Sequence, residues 1–410
     1  MNRGVRYLVT AVAVPLILTG CAKGESPTAH WRDQPAASSK PAEPLTLAIT
    51  PVANAKNLPI SAEIGIQVTN GATTTVTMTD NKRNAVQGAR REDGSSWVPD
   101  RPLKFETTYT AIVTATANGE TASQTTTFTT MKRPSGDRVG TGLYFFDGLT
   151  YGVAMPVVVE FESEIPEKGR ADVERRMFVT SDPPQPGVWH WFGERQALYR
   201  PPNYWRPGTK VTVRIALDGQ PIGNGRYGDM DRRASVTIGR KFVMDVDNTT
   251  KTMKVYENDT LLKTMPVSLG KPSTPSSSGT MVIMDRQEET VFDTMRDPDP
   301  ENRYRIDIAF AQRLTWDGEF IHAAPWSVDD QGRRNVSHGC VNLSTPNAQW
   351  LYNRTMIGDP VTVRGTERKL EPGNGWTAWD LPWADYLKGS ALAHPEFGTG
   401  RGNAVGQPGD

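Results

Sequence analysis

The run Ser337-His338-Gly339-Cys340-Val341-Asn342 sets a thiol beside an imidazole and a glycine, and a second imidazole, in Phe320-Ile321-His322-Ala323-Ala324-Pro325-Trp326, is separated from Ser337 by fourteen residues. A cysteine attacks a carbonyl carbon only as thiolate, so it needs a base or a positive field nearby. Gly339 permits a tight turn in which main-chain N–H groups can converge on a developing oxyanion. On the residues alone, His322 and His338 are both candidate bases for Cys340. Any one histidine is most often structural; the joint pattern of a glycine-flanked cysteine with two histidines points to a nucleophile. The polar loop Asp329-Asp330-Gln331-Gly332 between the two segments can fold back over the surface.

Cysteine usage sharpens this. The chain has two cysteines, Cys21 and Cys340. Arg3 and Arg6 make the first six residues basic, and Tyr7 to Gly20 is uncharged and almost wholly apolar, which is the layout of a secretory signal and too short for a bilayer span. The run ends in Leu18-Thr19-Gly20-Cys21, which resembles the lipobox of bacterial lipoproteins. Acylation of Cys21 would anchor the chain to the outer face of a membrane through buried methylenes. Cys340 is then a lone thiol in an oxidising compartment, hence a candidate reactive group, and a disulfide framework is excluded. With five histidines and one spare cysteine a structural zinc site is disfavoured, and a metal on His322, His338 and Cys340 lacks a fourth ligand. The carboxylates of Asp229-Met230-Asp231 read as an ordinary turn rather than a cation site. No cofactor and no metal are expected.

Charge is balanced at 46 basic against 46 acidic residues, so no basic footprint points to nucleic acid. Residues 1–20 read as signal and 21–45 as an Ala/Pro/Ser/Lys tether. Short alternating runs then fill residues 46–132: Ala62 to Val68, Thr75 to Met78 and Tyr109 to Val113, with Asn70-Gly71 and Asn118-Gly119 as breaks. This spacing without helical stretches predicts an immunoglobulin-like sandwich. Residues 136–239 repeat it, with Thr209 to Arg214 lying 101 residues after Thr108 to Val113. Trp189, Trp191, Tyr204 and Trp205 are expected in that second core or at its interface. A third, β-rich unit covers 240–365 and opens with a hairpin around Asn248-Thr249-Thr250. Residues 366–410 carry Trp376, Trp379 and Trp383, expected to pack on the third unit, and then a Gly/Pro-rich tail. The fold class is mostly β, with small helical content.

His322, its spacer and Ser337-His338-Gly339-Cys340-Val341-Asn342 resemble the signature of the L,D-transpeptidases. Gly270-Lys271 and Thr274-Pro275…Gly279-Thr280 resemble that family's Gly-Lys…Thr-Pro-X-Gly-Thr element, lengthened here by Ser276-Ser277-Ser278. The resemblance covers about 240–385, and the two sandwiches with the Trp segment are similar to its tandem-Ig actinobacterial branch. It implies that Cys340 attacks the diaminopimelate–D-Ala bond of a donor tetrapeptide stem of peptidoglycan. The thioester then passes to the diaminopimelate amine of an acceptor stem, with His322 as base and then acid. It further implies an oxyanion hole from the N–H groups of His338, Gly339 and Cys340, and a carbonyl of Ala323 or Ser337 orienting His322. Tyr304 would be a lid aromatic and Met284 a pocket residue, although a core Met is the competing reading. Asp317, Gly318 and Asn342 would contact the stem. Carbapenem-class β-lactams would be covalent inhibitors, and a monomer is expected. The lid Gln287 to Glu301 departs from the pattern by its length and by Asp293, Asp297, Asp299 and Glu301. Papain-like peptidases place Cys before His, and sortases need a downstream Arg; hydrolysis of the same acyl-enzyme and a non-catalytic peptidoglycan-binding lipoprotein stay as alternatives.

Overall fold

A computed structural model describes residues 43–91, 94–117, 119–296, 298, 300, 303–394 and 397. Cys21, the signal and most of the tether, Asn118, the lid acids Asp297, Asp299 and Glu301, and the glycine-rich tail fall outside them.

Period-two burial builds the first sandwich. In Thr108–Ala117 the side chains of Tyr109, Ala111, Val113 and Ala115 are buried and their neighbours face outward. That strand lies in one sheet with Ala55–Leu58, Glu120–Thr130 and Ala72–Asp80. The facing sheet runs Thr46–Thr50, Ile64–Thr69, Ser96–Pro99, Gly88–Arg90. Leu47, Ile64, Trp97 and Phe128 fill the space between. Asn70-Gly71 does not close a hairpin: it carries the chain from Ile64–Thr69 in one sheet to Ala72–Asp80 in the other.

The second sandwich pairs Thr141–Leu143, Val157–Phe161, Gln196–Arg200 and Val188–Phe192 against Thr150–Tyr151, Asp231–Ile238, Lys210–Ala216 and Met177–Asp182. Trp189, Trp191 and Trp205 are buried in it, and Tyr204 packs edge-on against Trp379 at 4.6 Å. The two sandwiches are joined by polar side chains. Glu63 accepts from Arg91 at 2.9 and 2.6 Å and from Arg176, Ser61 donates to Gln220 at 2.7 Å, and Arg214 donates to the carbonyl of Pro99.

The third unit holds the chemistry-bearing residues. A six-stranded sheet runs Thr260–Pro266, Thr252–Glu257, Phe242–Asp247, Pro360–Arg364, Ser277–Val282, Arg368–Lys369. The hairpin over Asn248-Thr249-Thr250 forms, with Asp247 opposite Thr252. A four-stranded sheet runs Asp285–Asp293, Arg305–Arg313, Phe320–Ala323, Val341–Leu343. Met244, Val255, Leu269, Ile321, Val341, Leu343 and the helix Thr345–Tyr352 make the core of this unit.

The Trp segment corrects the expectation. Trp376 and Asp380 do touch the third unit, through Met284 and the N–H of Thr280 at 2.8 Å. Trp379, Trp383 and Tyr386 instead close over the second sandwich. Trp379 donates to the carbonyl of Ala154 at 2.6 Å, Tyr386 donates to that of Leu198 at 2.5 Å, and Arg200 lies over all three rings at 4.2–5.1 Å. Those two units therefore share one core. Arg200 carries the reason in its charge: its apolar setting lowers its pKa to about 10, and aromatic faces and the carbonyls of Ala378 and Leu381 replace its water.

Candidate active site

Phe320–Ala323 and Val341–Leu343 are adjacent parallel strands, with Ile321 opposite Val341 and His322 opposite Asn342. Ile321, Val341 and Leu343 turn into the core. By alternation Phe320, His322 and Asn342 share the other face, where Cys340 joins Phe320, Ile308 and Ala311 in a separate apolar cluster. The strand pair thus brings the thiol and one imidazole to the same side of the sheet.

Each is held by main chain. His322 Nδ1 lies 2.8 Å from the carbonyl oxygen of Ala323, an atom that can only accept. The ring therefore carries its proton on Nδ1 and presents Nε2 as the acceptor. The sulfur of Cys340 lies 3.7 Å from the carbonyl of Gly318, and the N–H of Phe320 donates to it. The first contact suits a thiol and the second a thiolate, so the segment Gly318–Phe320 cradles either form.

Ser337 braces the turn that follows. Its hydroxyl donates to the carbonyl of Cys340 at 2.7 Å and accepts from the N–H of Gly339 at 3.1 Å. This removes Gly339 from the expected oxyanion donors. Gly339 keeps a conformational role, since its φ of +124° disfavours any side chain. Behind the turn, Ser276 donates to the carbonyl of Gly339 at 2.6 Å and accepts from the N–H of Gly270 at 2.9 Å. The Lys271–Thr280 loop is thus a buttress of the nucleophile turn.

His338 is exposed: its Nε2 lies 3.1 Å from the ammonium of Lys271, and its ring sits 5.3 Å from that of Tyr304. Of the two candidate bases, only His322 shares the buried face of Cys340. The ribbon Asp285–Asp293 and Arg305–Arg313 reaches over that face, placing the ring of Phe292 4.6 Å from Phe320 and 5.3 Å from His322. Tyr304 stands at the neck of this lid, where its main chain pairs with Thr294. Asp293, in the ribbon, is paired with Arg305 at 2.8 Å.

Under this cover Cys340 is 8 % and His322 3 % exposed. Burial pushes the thiol up to about 12, aided by the charges of Glu319 and Asp317 and opposed by the Phe320 N–H and Arg313. Burial likewise lowers His322 to about 4, against the Ala323 carbonyl. Both shifts favour a neutral thiol beside a neutral imidazole.

Two expected stem contacts make contacts within the protein. Asn342 is buried and donates to the hydroxyl of Ser327 at 3.2 Å, which ties its amide to the loop after His322. Met284 packs in the core shared with the second sandwich, where its sulfur receives the N–H of Trp376 at 3.3 Å; the core reading of this residue is the one that fits. Asp317 and Gly318 do lie beside Cys340, Asp317 paired with Arg368 at 2.6 Å. The sequence reading missed Phe292, Trp326, Glu319 and Arg368. Trp326 is 53 % exposed with its ring 6.1 Å from His322. Its signal was its place four residues after the histidine. Among the described residues no group of His, Cys, Asp and Glu is arranged to hold a metal ion.

Comparison with known proteins agrees with this geometry. Residues 55–221 match a bacterial Ig domain and residues 241–363 an L,D-transpeptidase catalytic domain. L,D-transpeptidase 2 of Mycobacterium tuberculosis (strain CDC 1551 / Oshkosh) is 32% identical over 393 residues, 94% of each chain. L,D-transpeptidase 5 of Mycobacterium tuberculosis (strain ATCC 25618 / H37Rv) is 31% identical over 395 residues, 94% of this chain and 84% of that one. A solved structure of the LD transpeptidase LdtMt1 in complex with imipenem is 32% identical and covers 56% of this chain and 100% of its own, with a TM-score of 0.47. With a relative above 30% identity along nearly the whole chain, and a thiol and imidazole on one sheet face where the motif predicts them, the protein belongs to the L,D-transpeptidase family.

Proposed function

We propose that this protein is a peptidoglycan L,D-transpeptidase working by ping-pong acyl transfer on Cys340. The observation that carries the reading is the shared face of two adjacent parallel strands, with His322 fixed in the tautomer that leaves Nε2 as an acceptor. Cys340 attacks the carbonyl carbon between diaminopimelate and D-Ala as its proton passes to His322 Nε2. The C–N bond breaks, D-Ala departs as the amine with that proton, and a thioester remains. The diaminopimelate amine of an acceptor stem then attacks, gives a proton to His322, and expels the thiolate. The neutral resting pair fits proton transfer in step with attack. Oxyanion donors come from the nucleophile turn other than Gly339, whose N–H is committed. Tyr304 and Phe292 cover the donor stem, and Asp317 and Gly318 line its path. The protein works as a monomer, held on the outer face of the membrane by acylated Cys21; the lipobox-like run supports that anchor.

The test is mass spectrometry of residues 45–410 mixed with disaccharide-tetrapeptide, beside Cys340→Ala. A cross-linked dimer with D-Ala release, absent in the variant, is expected. D-Ala release without dimer would replace the reading by a carboxypeptidase on the same stem. No reaction in either protein would favour a non-catalytic peptidoglycan-binding lipoprotein. A carbapenem-class β-lactam offers the same sulfur a strained acyl group, so the wild-type mass should rise by one inhibitor and the Cys340→Ala mass should not.

A further inference from the structure

Glu319 sits between the two residues whose main chain touches the sulfur, and its own side chain is buried at 5 % exposure. The N–H of Ser277 reaches its two oxygens at 3.1 and 3.0 Å, and the Ser277 hydroxyl donates at 2.7 Å. Its main-chain N–H donates to Thr315 at 2.9 Å. Burial raises the pKa of this carboxyl, while the Ser277 hydroxyl and N–H that donate to it, and the charge of Arg368, favour its ionised form. A Cβ built on Gly339 would stand 3.5 Å from Glu319 Cγ, so the charge lies directly against the nucleophile turn. A buried carboxylate requires a counter-charge, and Arg368 supplies it. One guanidinium nitrogen lies 3.5 Å from Glu319 and another 2.6 Å from Asp317, which Thr315 also holds at 2.6 Å. Arg368 lies beyond residue 363, where the catalytic-domain match ends.

We propose that Glu319 and Arg368 are paired positioning residues for Cys340: the carboxylate restrains ionisation of the thiol, the guanidinium offsets that restraint, and together they fix the Gly318–Phe320 cradle. The proposal rests on Cys340 being the nucleophile of the reaction above. A negative charge beside a thiol disfavours thiolate and a positive one favours it. Among the described residues the titratable groups around the sulfur are Glu319 and Asp317 on one side, Arg313 directly against them and Arg368 through its pairing with both carboxylates, His322 on the same face, and the Tyr304 phenol from the lid. Lys271 and His338 face each other on the adjoining turn. The arrangement holds the resting thiol unreactive toward water-borne electrophiles while leaving its charge adjustable from Arg368, which is half exposed.

The experiment is alkylation of the full-length chain by iodoacetamide across a pH series, without substrate, with adduct at Cys340 read by peptide mass spectrometry. At each pH below the thiol's midpoint Glu319→Gln should speed alkylation roughly tenfold, the equivalent of about one pH unit downward. Arg368→Met should slow it. Opposite shifts are the signature, because loosening of the fold would move both variants the same way. Two shifts of one sign, or none, overturn the proposal; thermal midpoints recorded alongside identify a folding loss. D-Ala release by the wild type is measured in parallel. Turnover without opposite shifts sinks the pairing alone, and opposite shifts without turnover sink the transpeptidase reading alone.

Discussion

Ser337 is a single hydroxyl that satisfies both sides of a turn. Replacing it with Ala strips a partner from the N–H of Gly339 and from the carbonyl of Cys340, both buried. Orphaning such groups costs about 1–3 kcal/mol. The loss falls on the turn that aims the sulfur, so Ser337→Ala should lower the rate of D-Ala release roughly ten- to a hundred-fold with KM little changed, as steady-state kinetics would show. An unchanged rate would remove Ser337 from the machinery. At this scale the sequence was most informative about residue types and least about their directions. The motif marked Cys340 and left two histidines open; only strand pairing separates them, because alternation turns His322 onto the covered face of Cys340 while the nucleophile turn sends His338 to Lys271. Asn342 does take the face of His322, but a motif does not say that its amide is already engaged by the hydroxyl of Ser327. Glu319 drew no notice in the sequence, since its burial depends on Ser277, forty-two positions earlier.

Between elements, the joint of the second sandwich with the third unit runs through the loop before Pro360–Arg364. The N–H of Gly152 and of Ala154 donate to the carbonyls of Ile357 and Gly358 at 2.8 and 3.0 Å. Gly358, at φ +91°, would set a side chain against the backbone of Met155. Asp359 is sealed in this joint, and burial pushes its carboxyl up to about 8 against the Met356 N–H and the charges of Arg240 and Arg286. A folded pKa above the unfolded value near 3.8 means the folded state prefers the proton. Its contribution to stability is full below about pH 4 and is lost as pH rises through about 8. Asp359→Asn should therefore raise the thermal midpoint at pH 8 and leave it nearly unchanged at pH 4; an equal change at both would refute the ionisation account. Alternation marked Ala62 to Val68, Thr75 to Met78, Tyr109 to Val113 and Thr209 to Arg214, each of which overlaps a strand, and the turn residues marked the 247–252 hairpin. Neither could give this joint, since which loops meet is a property of three dimensions.

Across the whole molecule, the Tyr386 segment belongs to a core begun at Val139, some two hundred and fifty residues earlier. Tyr386 is fully buried, stacks on His190 at 4.7 Å and donates to Leu198. Tyr386→Ala opens a large cavity and should cost about 3–5 kcal/mol by denaturant unfolding. A loss under 1 kcal/mol would mean that the segment merely rests on the surface. The spacing of Trp376, Trp379 and Trp383 announced an apolar face, but spacing cannot name its partner. Arg200 held the missing information, as a cation whose ring contacts come from the far end of the chain.

That late closure has a consequence for how the protein is made. The first sandwich is complete once residue 131 has been added, because all of its core residues lie before that point. The second must wait, its aromatic face open, for another two hundred and fifty residues or so, until Tyr386 arrives. A product cut short anywhere in between carries an unsealed apolar groove, the feature by which quality-control proteases recognise unfinished chains. The Tyr386 segment thus seals the second sandwich only after the catalytic unit has been made, so that a second sandwich closed by it comes with its thiol.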